Sequence, residues 1–215
     1  MQLIGMLDSP YVRRVAVSLL ALGLPFKHRS LSVFRTFDAF RAINPVVKAP
    51  TLVDDDGEAL MDSTLILDHA ESLAAPGRSL MPAGVPARRQ ALKLIGLALA
   101  ACEKSVQIIY ERSLRPADRQ HQPWVDRVAG QLQAALAGLE AELGRYPRAG
   151  APVSADQALI TAAITWHFIR QTLPAAADPA VHPLLAALSE RAEALPEFLA
   201  APHGDGTCIG LPAAS

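Results

Sequence analysis

Three short stretches carry residue types that could hold a peptide. In Asn44-Pro45-Val46-Val47-Lys48-Ala49-Pro50-Thr51-Leu52-Val53 a proline stands directly before an apolar run with the pattern of a strand. A proline there withholds a ladder donor, so it marks an edge or a turn. An X-Pro bond costs only about 0.5–1 kcal/mol to place in cis, and a cis turn is expected here, aiming the Ala49 N–H and C=O outward at a ligand. Asp62-Ser63 lies downstream, where a strand would end and an amphipathic helix begin, with N–H donors at the helix start able to receive a carboxylate. Ser9-Pro10-Tyr11-Val12-Arg13-Arg14 adds a hydroxyl at or just before the N-cap of the first helix. Each of Ser9 and Asp62-Ser63 also reads as an ordinary helix cap.

The elements that must position these residues follow from periodicity. Leu3 to Leu7 is a short apolar run, and Val12, Val15, Ala16, Leu19 and Leu20 recur at helical spacing before Gly23, a natural C′ residue. Phe26 to Val33 has strand composition and Phe37 to Ile43 that of a short helix. Thr51 to Val53 and Ala59 to Met61 flank Asp54-Asp55-Asp56-Gly57 as a hairpin, and Ser63 to Leu73 returns to helix. The order is β-α-β-α-β-β-α. Beyond the Pro- and Gly-rich stretch near Pro76-Gly77-Arg78 no strand pattern follows. Leu92, Ile95, Leu99, Cys102, Val106 and Ile109 form the expected seam of a long helix, and Val125, Val128, Leu132, Ala135 and Leu139 that of its partner. Leu159 to Leu173 and Pro183 to Leu195 supply two more helices, and the tail from Pro196 has no evident period. The predicted division is an α+β domain at 1–76, a linker at 77–86 and an all-α domain at 87–215.

On these motifs the whole chain resembles the glutathione S-transferase family. The resemblance implies a thioredoxin-like N-terminal domain that binds glutathione and a helical domain contributing an apolar electrophile pocket. It implies that Ala49, before Pro50, contacts the cysteinyl part of glutathione through its backbone, and that Asp62 and Ser63 hold the γ-glutamyl end. Lys48 and Arg35 could meet the glycine carboxylate, with solvated surface positions as the alternative. Ser9 is the expected catalytic group: a hydroxyl donor backed by the helix N-terminus would favour the thiolate of glutathione. A shift of about two units would correspond to about 2.7 kcal/mol. The electrophile pocket would draw on Tyr11, Ser105, Ile109 and Arg112, and the partner would be a second copy of the chain in a homodimer. Glutathione is the expected cosubstrate, in the service of detoxification, with no metal.

Rival activities share the site. A glutathione-dependent peroxidase, isomerase or dehalogenase would use the same thiolate, and a non-catalytic binding or regulatory protein would keep the peptide site alone. A thiol oxidoreductase fits least: Cys102 and Cys208 form no C-x-x-C pair, and Ser9 occupies the place where such relatives carry Cys. In the family a Ser or Thr caps the central helix of the second domain three residues before an Asp; here that place is Val153, so the cap is altered or carried by Asp156 in another way.

Composition narrows the classes further. The chain has 215 residues, 51% of them hydrophobic, enough for a substantial core. Lys plus Arg number 20 against 21 acidic residues, which gives no excess positive charge for nucleic acid or an anionic membrane. Met1-Gln2-Leu3-Ile4-Gly5-Met6-Leu7-Asp8 has neither a basic region nor a long apolar run, so a cytoplasmic location is expected. The six histidines show no pair at metal-ligand spacing, and Gly57 comes too early for a calcium loop.

Overall fold

A computed structural model describes residues 1–210. It divides into two compact units: Met1–Leu80 joined by the chain from Ala192 onward, and Met81–Arg191. The chain passes from the first unit to the second near 80, and the residues from Ala192 fold with the first unit.

In the first unit β1 (Gln2–Ile4), β2 (Lys27–Arg29), β3 (Thr51–Val53) and β4 (Ala59–Met61) form one sheet in the order β2-β1-β3-β4. β1 pairs parallel to β2 and antiparallel to β3, and β3 pairs antiparallel to β4. Between β1 and β2 runs α1 (Pro10–Leu22), between β2 and β3 the short α2 (Phe37–Arg41), and after β4 comes α3 (Ser63–Leu73). This is the expected β-α-β-α-β-β-α, a thioredoxin-like sheet. Val12, Val15, Ala16 and Leu19 of α1 and Ile66 and Ala70 of α3 are wholly buried. Gly23 adopts a left-handed φ of 72° and its N–H caps the Leu20 carbonyl, ending α1 as the sequence indicates.

A helix absent from the sequence reading, α8 (Pro196–Ala200), packs on α1. Its neighbour on the other helix is Arg13, which is 1% exposed and pairs with Glu193 through two bonds of 2.7 and 2.6 Å. Arg13 Nε also donates to the Ala201 carbonyl at 2.8 Å, and its guanidinium lies over the Phe198 ring. A buried guanidinium must find such partners, and they come from the tail.

The second unit is helical: α4 (Val85–Leu114), α5 (Gln122–Arg145), α6 (Gln157–Thr172) and most of α7 (Pro183–Glu193). α4 packs on both α5 and α6. Its buried face includes Ile95 and Cys102 of the expected seam but is centred beside it. Ala91, Leu94, Ile95, Ala98, Ala101, Cys102, Ser105 and Ile108 are buried, whereas Leu92 is half exposed. Small residues let helix backbones approach, so alanines fill the seam and the larger Leu92, Leu99 and Val106 rotate away from its centre. No helix among the described residues is long and apolar enough to cross a membrane.

Asp156 caps α6 from a fully buried position. Its Oδ1 accepts from the Ala158 and Leu159 N–H groups at 2.9 and 3.2 Å. Its Oδ2 accepts from the Tyr146 hydroxyl at 2.9 Å and lies 2.6 Å from Arg148 Nε. Burial and the neighbouring carboxylate push the Tyr146 hydroxyl pKa well up, so the phenol stays protonated as a donor. The cap that Val153 cannot supply is therefore made by Asp156 alone. Asp156→Ala is expected to destabilise the chain by about 2–4 kcal/mol, since it removes a cap and leaves the buried Tyr146 hydroxyl without its acceptor. Urea unfolding monitored by circular dichroism measures this; an unchanged midpoint contradicts it.

Candidate functional site

The three motifs converge within the first unit. Ser9 is the N-cap of α1, with extended backbone (φ −73°, ψ 123°) and its Oγ accepting from the Val12 N–H at 3.4 Å. That contact uses a lone pair and leaves the hydroxyl hydrogen to donate elsewhere. Pro10 at the first helical position fixes the entry into α1.

The loop before β3 is held by Asn44, which is buried. Its Nδ2 donates to Thr51 Oγ1 at 2.9 Å and its Oδ1 accepts from the Val46 N–H at 3.0 Å. Thr51 Oγ1 in turn donates to the Lys48 carbonyl at 2.8 Å. The Ala49-Pro50 peptide is cis. Among the described residues the Ala49 N–H and C=O have no hydrogen-bond partner within the protein, which leaves a donor and an acceptor side by side for an extended peptide. Val47 and Asp62 are the non-glycine residues at positive φ among those described, at 53° and 71°. Such backbone costs on the order of 1–3 kcal/mol per residue and gathers at ligand clamps. Both residues flank this loop and the helix start beside it.

Asp62 caps α3, accepting from the Thr64 N–H at 2.9 Å. Ser63 is 3% exposed, and its Oγ accepts from Arg14 Nη1 at 3.0 Å. Arg14, buried on α1, thus places a cation against the start of α3. Sequence reasoning assigned Arg14 no role, although two consecutive arginines inside an apolar helix are themselves a signal of buried pairing. Lys48 Nζ lies 3.9 Å from Asp62 Oδ2 rather than standing apart as a free cation, and both are about half exposed. Arg35 pairs with Asp205 at 3.4 Å and approaches Met6 Sδ at 3.6 Å. Tyr11 is half-buried on α1. Of the expected pocket residues on α4, Ile109 is half-buried, Arg112 is exposed, and Ser105 is wholly buried with its hydroxyl on the Ala101 carbonyl.

Gly5, also unassigned by sequence reasoning, brings Ser9 and Ala49 together. At φ 137° it lies where a Cβ would stand 2.6 Å from Val12 Cγ2 and 3.2 Å from the Ala49 Cβ. Its carbonyl receives His28 Nε2 at 2.8 Å, while His28 Nδ1 accepts from the Cys208 N–H at 3.0 Å. Those two bonds fix the neutral imidazole with its hydrogen on Nε2. Burial lowers the His28 pKa, opposed by the bond to Gly5. Cys208 itself is pushed up to about 12 by burial, so its sulfur is a protonated thiol at neutral pH. Cys102 Sγ sits 3.2 Å from Thr165 Oγ1 in the buried interior of the second unit.

The chain is similar to known proteins along most of its length. A model of the glutathione S-transferase N-terminal domain matches residues 3–78. A glutathione transferase family member from Pseudomonas fluorescens Pf-5, solved with bound S-(propanoic acid)-glutathione, is 30% identical and superposes with a TM-score of 0.78 over 94% of this chain and 98% of its own. This chain belongs to the glutathione S-transferase family. The GST-like protein YibF of Escherichia coli K12 is 27% identical over 144 residues, 66% of this transferase-family chain and 70% of YibF. Maleylpyruvate isomerase from Pseudomonas aeruginosa PAO1 is 26% identical, with a TM-score of 0.68 over 94% of this chain and 96% of its own.

Two measurements test how this glutathione S-transferase family site is built. Gly5→Ala is expected to lower stability by about 1–3 kcal/mol, because the new methyl group must displace Val12 and press on Ala49 at a φ that side chains rarely adopt. Denaturant titration reads the loss; a stability equal to the parent's overturns the close-approach argument. His28 gives a pH dependence whose sign follows from its lowered pKa. The unfolded chain takes up a proton near 6.5, the folded chain only at lower pH. The His28 contribution is therefore unfavourable to folding as pH falls below about 6.5 and levels off once the folded value is passed. Urea midpoints measured across the mildly acidic range should fall less steeply in His28→Phe than in the parent, and equal slopes would refute the assignment.

Proposed function

We propose that this chain is a glutathione transferase in which Ser9 stabilises the glutathione thiolate for attack on a hydrophobic electrophile. The observation that carries the reading is the Ala49 backbone pair, without a hydrogen-bond partner among the described residues, beside the Asp62-Ser63 helix start and the Ser9 cap. A strand-like peptide laid against Ala49 would exchange an N–H and a C=O with it, which suits the cysteinyl residue of glutathione. The γ-glutamyl carboxylate would meet the first turn of α3, with Ser63 held by Arg14, and the γ-glutamyl ammonium would meet Asp62. Lys48 would then leave Asp62 or share it. Arg35 is the candidate for the glycine carboxylate, and Tyr11 for contact with the electrophile.

The reaction needs no group beyond glutathione and these side chains. The Ser9 hydroxyl donates to the sulfur while the N-terminal end of α1 favours its negative charge, so a larger share of the thiol is ionised at neutral pH. The thiolate attacks the electrophile, forming a carbon–sulfur bond and expelling the leaving group with its electron pair or, for an activated double bond, taking up a proton from water. The first unit acts as the glutathione-binding domain in this reading. A homodimer, a cytoplasmic location and a place in detoxification belong to the same proposal.

Glutathione-dependent isomerisation is the second reading, favoured by the likeness to the Pseudomonas aeruginosa maleylpyruvate isomerase. The same thiolate would add to a double bond, permit rotation and leave again. Calorimetric titration with glutathione, followed by conjugation and isomerisation assays on the parent and Ser9→Ala, separates the possibilities. Expected are measurable binding in both proteins and a fall in conjugation of about 10²-fold in Ser9→Ala, the scale on which a donor to a developing anion contributes. No binding by the parent overturns the functional reading, equal turnover in the two proteins overturns the role of Ser9, and turnover confined to the isomerase substrate selects the second reading.

A further inference from the structure

Arg35 lies between two segments that meet only in the folded first unit. Its backbone is fixed by the buried Ser32, whose Oγ accepts from the Arg35 N–H at 3.1 Å. Its Nη2 reaches Met6 Sδ at 3.6 Å, and the Met6 carbonyl accepts from the Ser9 N–H at 3.2 Å. The guanidinium is therefore against the turn that presents Ser9. The same Nη2 points at Asp205 Oδ2, 3.4 Å away, in the segment that returns from the far end of the chain. Among the described residues Asp205 is the ion-pair partner of Arg35.

That returning segment is pinned on both sides of Asp205 and at Asp205 itself. The Ala201 carbonyl accepts from Arg13 Nε at 2.8 Å, and the Cys208 N–H donates to His28 Nδ1 at 3.0 Å. Between them the Asp205 carbonyl accepts from Ser30 Oγ at 2.6 Å. The main chain at Asp205 is fixed, but its side chain is not: the carboxylate end of the pair is 70% exposed and the guanidinium end 67%. A backbone held in this way keeps a carboxylate within reach of Arg35 while leaving it free to swing.

We propose that Asp205 is a built-in competitor for the glycine carboxylate of glutathione at Arg35, an inference that rests on the glutathione reading above. In the free protein Asp205 occupies the guanidinium. When glutathione binds, its glycine carboxylate takes that place and the Asp205 side chain turns to water, while the Asp205 carbonyl stays on Ser30. One carboxylate replaces another, so Arg35 keeps a counter-ion throughout and the ligand gains only the difference between the two pairs. The exposure of the pair suits an exchange. A solvent-exposed ion pair is weak enough to give way to a ligand, whereas the Arg13–Glu193 pair, with its guanidinium wholly buried, is not. Asp205 thereby sets how much the glycine end of the ligand contributes. A ligand lacking that carboxylate leaves Asp205 in place, and a glutathione conjugate, which retains it, meets the same competition.

The test is calorimetric titration of the full chain with two probes, glutathione and its glycine ethyl ester, in which that carboxylate is blocked. The Ser30 bond uses the backbone of Asp205, so Asp205→Asn leaves the segment in place. Asp205→Asn is expected to bind glutathione about three- to fivefold more tightly than the parent, the scale of an exposed ion pair, and to bind the ester with the parent's affinity. The gain should shrink as salt is raised, and in an Arg35→Gln background Asp205→Asn should change nothing. Unchanged glutathione affinity in Asp205→Asn overturns the competitor role, and weaker affinity overturns it by making Asp205 a support for Arg35. An equal gain with the ester, or a gain that persists in Arg35→Gln, also overturns it, since either marks a general effect of removing negative charge. Failure of the parent to bind glutathione brings down the functional reading on which the inference rests. Binding by the parent with no tightening in Asp205→Asn brings down the inference alone.

Discussion

The lack of a side chain at Gly5 is the constraint on which the site depends. The chain leaves β1 at a backbone angle that suits glycine, and Val12 and Ala49 close on it to distances that a methyl group would violate. Through that contact the start of α1 and the loop before β3 share one small volume. Ser9 is the cap of the first and Ala49 the exposed peptide of the second. Their spacing is therefore set by van der Waals contact rather than by any bond between them, and packed contacts of this kind yield little before they strain.

Around this contact the polar groups act as struts. Asn44 and Thr51 tie the loop to β3, Arg14 ties α1 to the start of α3, and His28 ties the end of β1 to the backbone at Cys208. The last two join elements distant in sequence, and the groups that form all three are buried or half-buried, where a hydrogen bond is worth more and its loss costs more. Against them stand, among the described residues, two non-glycine residues at positive φ, Val47 and Asp62, and a pair of backbone groups at Ala49 without a hydrogen-bond partner. Strain and unmet hydrogen bonds gathered in one place are what binding at the proposed glutathione site would relieve.

Much of this was readable in the sequence because it is local. Strands and helices of the first unit follow from alternation and helical spacing, and Ser9, Ala49, Pro50, Asp62 and Ser63 stand out through neighbouring proline and cap chemistry. What escaped the reading depends on partners far along the chain. The seam of α4 was assigned to Leu92 and its helical repeats; Ile95 and Cys102 of that set are buried, but Ala91, Ala98 and Ala101 are buried with them while Leu92 is not, because close helix approach rewards small side chains that carry little hydrophobic signal. The tail looked aperiodic, yet it begins with α8, and the stretch beyond that helix is held by Arg13, Ser30, Arg35 and His28 rather than by its own composition. Gly5 and Arg14 likewise have meaning only once α1, the Ala49 loop and α3 are folded together.

Arg13 sets an order of events during synthesis. It emerges from the ribosome among the earliest residues and belongs to a helix whose neighbours are apolar, yet Glu193 and Ala201 are made only after the whole second unit. Until those residues exist, the side of α1 that α8 covers is open to water and the guanidinium can be solvated there. The first unit therefore lacks a piece of its own packing until the second has been translated. Its closure over Arg13 requires the chain through residue 201.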